Sequence, residues 1–170
     1  MQKMRRSDRE VTGIEEKLAI IGQCKVCRLA MCDDSQPYIV PLNFGYEYSG
    51  DALTLYFHGA HEGRKIDILK KNSKVCFEMD GEHELTAGEK DGEYGFNFAS
   101  IIGFGRLEFI EDKNEKNRGL SILMKHQTGE DREFFFDDNT LNATMVCKLQ
   151  VEEFTGKRRP APVKNGVRSN

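Results

Sequence analysis

This chain has no N-terminal apolar run that would serve as a secretion signal, and no stretch long enough to cross a bilayer as a helix. The sequence therefore predicts a cytoplasmic protein with no membrane partner. Positive charge is not in surplus either. With 25 Lys and Arg against 28 Asp and Glu, the net charge of −3 argues against general nucleic-acid binding. No G-x-G-x-x-G follows a strand pattern, so a dedicated Rossmann site for a nicotinamide cofactor is absent. No internal repeat and no Ser/Gly linker divides the 170 residues, a length that suits one domain. The five cysteines are odd in number. Cys24 and Cys27 form a C-x-x-C with no second pair at zinc-ribbon spacing, and in an extended strand they would face opposite sides. Reduced, mostly buried thiols are the expectation. His58 and His61 form an H-x-x-H without a third ligand, so no metal site is predicted.

What the chain does have is strand-like alternation broken by short helical segments. Basic residues gather at the two ends, and the boundaries they suggest are a domain over residues 1–156 and a flexible basic tail over 157–170. A T-x-x-E pattern at Thr12 and Glu15 predicts a capped helix carrying Ile14, Leu18 and Ile21 and ending at Gly22. Strands are expected over 25–32, 37–48, 52–58, 74–79, 94–110 (bent, or two joined by a bulge) and 144–154. Helices are expected over 62–71 and 113–126, with Leu120, Leu123 and Met124 facing the core, and a polar loop over 81–93. Pro41 cannot donate a ladder hydrogen bond, which places it at an edge, a bulge or beside a ligand. The run Phe134, Phe135, Phe136 among acidic residues reads as a lid or a packing segment rather than a strand. Six antiparallel strands imply a closed or nearly closed barrel, since closure removes exposed edges.

Residues 53–74, LTLYFHGAHEGRKIDILKKNSK, carry the sharpest signal. A strand with Leu53, Leu55 and Phe57 on one face breaks at Gly59 and restarts as a helix near Glu62. Arg64 and Lys65 then fall on the first helical turn, where the helix already has partial positive charge and unpaired N–H donors. Nothing within the chain favours cations there, but a bound anion such as phosphate does.

The segments VPLNFGYE (40–47), LYFHGAHEGRKID (55–67) and LMKHQTG (123–129), with MRRSDREVT at 4–12, resemble the nitroimidazole-resistance (Nim-type) flavoproteins. These belong to the pyridoxamine 5′-phosphate oxidase-like split barrels that bind FMN. The resemblance runs over roughly residues 4–156. It implies a mainly β fold, a six-stranded antiparallel split barrel with inserted helices, and a homodimer with FMN at the subunit interface. Gly63, Arg64 and Lys65 would then hold the FMN phosphate, and the backbone at Val40, Pro41, Leu42 and Asn43 would lie along the isoalloxazine ring, with Asn43 offering a donor and an acceptor. His58 becomes the candidate catalytic residue, since an imidazole titrates in the useful range. Lys125 and His126 either close a helix C-terminus or contribute to the partner's site, and Ser100 and Ile102 would reach the other subunit's flavin.

The function this implies is FMN-dependent reduction of a small acceptor such as a 5-nitroimidazole. Two alternatives remain open: a flavin-binding or redox-sensing protein without turnover, and a haem-binding relative using His58, His61 or His126 as axial ligand. Vitamin B6 chemistry is disfavoured because the chain ends in KRRPAPVKNG (157–166) rather than in an Arg-rich segment built into the barrel.

Overall fold

Period-two alternation decides most of this structure. The computed structural model describes residues 4–88 and 90–159. Its elements, in chain order, are β1 (Glu10–Val11), α1 (Ile14–Gln23), β2 (Val26–Asp33), β3 (Gln36–Asn43), β4 (Gly45–Ser49), β5 (Ala52–Gly59), α2 (Arg64–Lys71), β6 (Lys74–Thr86), β7 (Gly95–Ile110), α3 (Lys113–Thr128), α4 (Asp138–Ala143) and β8 (Met145–Arg159). All strand pairs are antiparallel, in the order β3-β2-β6-β7-β8-β5-β4, with β1 added alongside β8.

The fold is mainly β, but the described residues form eight strands rather than six. The expected strand over 37–48 is two strands, because the chain turns at Phe44, whose side chain is completely buried. At two residues, β1 is too short to show any alternation. β3 and β4 form the two ends of the hydrogen-bonded path, yet only Phe44 separates them in sequence. Two virtual bonds of 3.80 Å keep the sheet edges within about 7.6 Å of each other at that corner. The sheet thus curls back on itself there without a closing ladder.

Three further expectations are corrected. Residues 81–86 continue β6 instead of forming a loop: the ladder shifts between Gly81 and Glu84, Glu82 takes φ 58°, and pairing with β7 resumes through Thr86. Polar side chains reported solvent exposure, not lack of pairing, since an exposed ribbon keeps its ladder under polar residues. Thr12 does not cap α1; Gly13 is the N-cap, and the helix begins at Ile14 without a side-chain cap. At the other end β8 runs through Lys157, Arg158 and Arg159, which pair with β7 opposite Ser100, Ala99 and Phe98. These three residues belong to the sheet, and the rest of the expected tail lies outside the described residues. α4 had no counterpart in the sequence reading.

The core lies inside the curled sheet. Leu53, Leu55 and Phe57 of β5 meet Leu29, Phe77, Ile101 and Leu149, closed off by Ile20 and Ile21 of α1 and by Ile66, Ile68 and Leu69 of α2. Complete burial of side chains of this size stabilises by about 1.5–3 kcal/mol each. β5 is buried on both faces, because Tyr56 packs outward with Ile110, Leu120, Leu141 and Val146 under α3 and α4. Phe134 is buried and Phe136 half-buried while Phe135 is 83% exposed, so the aromatic run packs at alternate residues and forms no strand. The turn between β4 and β5 has positive φ at both Gly50 and Asp51, which matches the right-handed twist of the hairpin.

Candidate functional site

The helix ends differ in how they are closed. α3 and α4 begin with Asp112 and Asp137, whose carboxylates accept from the backbone N–H of Glu115 (2.9 Å) and Thr140 (2.7 Å). α2 begins at Gly63 with no side-chain cap. The Ile66 and Asp67 N–H groups donate back to the Gly63 carbonyl, leaving those of Arg64 and Lys65 without a helical acceptor. Gly63 holds φ 116° and ψ 165°, a conformation essentially reserved for glycine, with open space where a Cβ would stand. Two free N–H donors, two cationic side chains and a bare backbone together make a cradle that fits a phosphate.

Arg64 is exposed and reaches across to the β2–β3 hairpin. Its guanidinium lies over the Tyr38 ring at 4.5 Å and 3.6 Å from the Asp33 carboxylate. Lys65 is half-buried, its ammonium near Gly59 at the end of β5. The cradle is therefore beside β3, the strand that carries Val40, Pro41, Leu42 and Asn43. These four do not share a face. Val40 and Leu42 turn inward against the core; Pro41 and Asn43 turn outward and are exposed. Pro41 does sit on a strand at the end of the sheet path, opposite Arg28. Asp33 and Tyr38 were not foreseen, because only the folded hairpin brings them to α2.

His58 is exposed, but it lines a different recess of about 200 Å³, bounded by Leu120, Leu123 and Met124 of α3, Phe136, Thr140 and Thr144. The wall of that recess is tied to the cradle loop. The His61 ring nitrogen Nε2 is 3.0 Å from the Asn142 carbonyl, and the buried Lys116 ammonium donates to the Leu141 and Thr144 carbonyls at 3.3 Å. Both side chains satisfy orphan carbonyls at the end of α4.

The C-terminus of α3 is equally well closed. Gly129 takes φ 76° and returns its N–H to the Lys125 carbonyl. Lys125 pairs with Glu133, and the His126 ring packs on Phe44 and Tyr46 with Nε2 2.8 Å from the Cys24 carbonyl. Burial holds the His126 pKa below its ordinary value, with Lys25 acting in the same direction against the Cys24 hydrogen bond. Gln127, inside the LMKHQTG segment but not singled out from sequence, donates to the Phe44 and Lys25 carbonyls at 2.8 and 3.2 Å.

Cys24, Cys27 and Cys147 are buried free thiols, Cys76 is half-buried and Cys32 exposed. Burial pushes Cys24 up to about 11 and Cys27 and Cys147 up to about 12, which leaves them unreactive. Cys24 and Cys27 are both buried because Cys24 ends α1 instead of standing in the strand. Among the described residues no group of three or more His, Cys, Asp or Glu side chains could hold a metal ion, and no helix is long and apolar enough to cross a membrane.

The profile of the family described as Pyridoxamine 5′-phosphate oxidase matches residues 14–158, from the start of α1 almost to the end of β8. The chain belongs to the pyridoxamine 5′-phosphate oxidase family. A crystal structure of a candidate 5-nitroimidazole antibiotic resistance protein from Bacteroides thetaiotaomicron is 33% identical, over 88% of this chain and 86% of that one, with a TM-score of 0.76. A flavocytochrome from Azotobacter vinelandii shares the fold at 22% identity, over 95% and 74% of the two chains and with the same TM-score of 0.76. An uncharacterized protein of Rhizobium meliloti is 37% identical over 69 residues, a match that spans 42% of that relative's length and 41% of this chain. The resemblance carried by the VPLNFGYE, LYFHGAHEGRKID and LMKHQTG segments is thus borne out at the level of family and fold. Every candidate residue described above lies inside the matched family region.

Proposed function

We propose that this member of the pyridoxamine 5′-phosphate oxidase family is an FMN-binding oxidoreductase of Nim type, a homodimer that reduces a small acceptor such as a 5-nitroimidazole. The observation that carries the reading is the open start of α2, where the Arg64 and Lys65 N–H groups have no helical acceptor and no side chain caps the helix. Arg64 and Lys65 would hold the phosphate, and the edge strand at Pro41 and Asn43 would support the ring. FMN, when bound, supplies the electron transfer. The chain's own part is to position it and to exclude water, and His58, one residue before the Gly59 that lies beside Lys65, would donate a proton from its ring to an oxygen of the acceptor.

A homodimer is supported by the outer face of the sheet. Ile39, Ala30, Cys76 and Phe104 stand in register across β3, β2, β6 and β7, with Ile39 57% and Phe104 41% exposed. Ile102 and Ser100 stand on the same outward face of β7, beside this row. The ion pairs of β8 disfavour vitamin B6 chemistry. The basic residues at the chain's end are built into β8 after all, but Arg158 is already paired with Glu16 and Glu82 and is not free for a substrate phosphate. At His61 and His126 the ring nitrogen Nε2 already meets a backbone carbonyl, which disfavours that atom as a haem ligand.

The absorption spectrum of the purified protein tests the cofactor: a flavin band near about 450 nm is expected, and a Soret band in its place would overturn FMN. Stopped-flow reoxidation of the reduced protein tests the activity. A nitroimidazole should reoxidise it faster than dissolved oxygen does; no acceptance over oxygen would leave a flavin-binding protein without this turnover.

A further inference from the structure

Asn43 ends β3 at the corner where the chain crosses from one sheet edge to the other. Its side-chain Nδ2 donates to the Lys25 carbonyl at 3.2 Å and to Gln127 Oε1 at 3.1 Å. Gln127 can offer only its oxygen there, because its own Nε2 is committed to the Lys25 and Phe44 carbonyls at 3.2 and 2.8 Å. A backbone carbonyl is an acceptor and nothing else. Exchanging oxygen and nitrogen in either amide would set oxygen against oxygen. The two carbonyls, through Gln127, therefore fix the sense in which Asn43 is presented. Both Asn43 N–H donors are used up, and its Oδ1 has no partner among the described residues although the residue is exposed.

We propose that Asn43 is a dedicated hydrogen-bond acceptor that recognises the N3–H of the bound isoalloxazine ring, with Gln127 as its positioning residue. This rests on the flavin reading above and sharpens it: from sequence Asn43 offered the ring both a donor and an acceptor, whereas the folded chain leaves it only the acceptor. The oxidised ring's polar edge presents acceptors at N1, N5 and both carbonyl oxygens, and a single donor at N3. An acceptor whose orientation is locked is repelled by all but that one atom. The site therefore selects ligands with an imide N–H between two carbonyls.

The test measures the affinities of FMN and N3-methyl-FMN by fluorescence quenching. The wild-type protein should prefer FMN by about tenfold or more, the cost of removing one partner from a desolvated contact. In Asn43→Ala and in Asn43→Leu the preference should collapse to about twofold or less; Leu keeps the bulk, so a preference due to simple crowding by the methyl group would survive there. In Gln127→Ala it should fall to about threefold, and the Asn43 side-chain amide resonances of the ligand-free protein should shift as the amide loses its lock. Arg64→Ala should weaken both ligands alike and leave their ratio unchanged. Equal wild-type affinity for the two flavins, or a ratio that survives Asn43→Ala, overturns the assignment while leaving FMN binding standing. If neither flavin binds, the flavin reading and this inference fall together.

Discussion

The start of α2 and the end of α3 are two helix termini treated in opposite ways. At the end of α3 an αL glycine, a lysine, a histidine and a glutamine close the turn, each with a protein partner. At the start of α2 there is no side-chain cap, and Arg64 and Lys65 add positive charge where the helix dipole already supplies it. The closed end is scaffold: it braces the corner at Phe44 that brings the two sheet edges together. The open end keeps a stability cost that a bound anion would relieve. α1 also begins without a side-chain cap, but only α2 adds two cations to its uncapped first turn, and that combination is where a ligand should be sought.

The largest effect should come from breaking the closed end. Gly45 lies so close to the backbone of Leu123 that a Cβ would stand 2.5 Å from the Leu123 nitrogen, and backbone cannot swing aside. Gly45→Ala should therefore displace α3 from β4 and cost about 3 kcal/mol, read as a lowered urea midpoint; an unchanged midpoint would show that α3 does not brace the corner. At the open end, Arg64→Ala with Lys65→Ala should weaken FMN binding by about a hundredfold at low salt, with little change in folding stability. Full flavin stoichiometry and affinity in that variant would remove the phosphate assignment.

Capping supplies a smaller contrast. Asp112→Ala removes a formed cap and should cost about 1 kcal/mol, whereas Thr12→Ala removes one that does not exist and should cost less than about 0.3 kcal/mol in the same unfolding experiment. The smallest effect concerns His126. Its folded pKa lies below the ordinary histidine value, so the unfolded chain binds the extra proton more readily. The stability due to the neutral ring is then complete above about pH 6.5 and is lost as pH falls through the folded pKa. The urea midpoint should drop modestly between about pH 7.5 and about pH 5.5, and His126→Gln should flatten that part of the profile; the same slope in the variant would assign it to other groups.

Alternation and helix periodicity made most of the elements legible, because they depend on neighbours two to four residues away. That locality explains the accurate reading of Leu53, Leu55 and Phe57 as one core face, and of the charged first turn of α2. It also explains the failures. Phe44 interrupts an apparently continuous strand only because a core exists to receive it. The bulge at Glu82 and the strand beyond it were hidden by polarity. β1 needs β8 as a partner before it is a strand at all.

The sequence by itself determined that two cations follow a glycine at a helix start, at Gly63, Arg64 and Lys65, since helix polarity and charge are properties of contiguous residues. Only the tertiary structure decided what surrounds it. The hairpin that carries Asp33 and Tyr38 to Arg64, the recess that His58 lines together with α3 and α4, and the carbonyls of Lys25 and Phe44 that act through Gln127 on Asn43 all join residues far apart in the chain. Hydrogen-bond direction is set by which donors and acceptors meet in space, and no periodicity in a sequence records that.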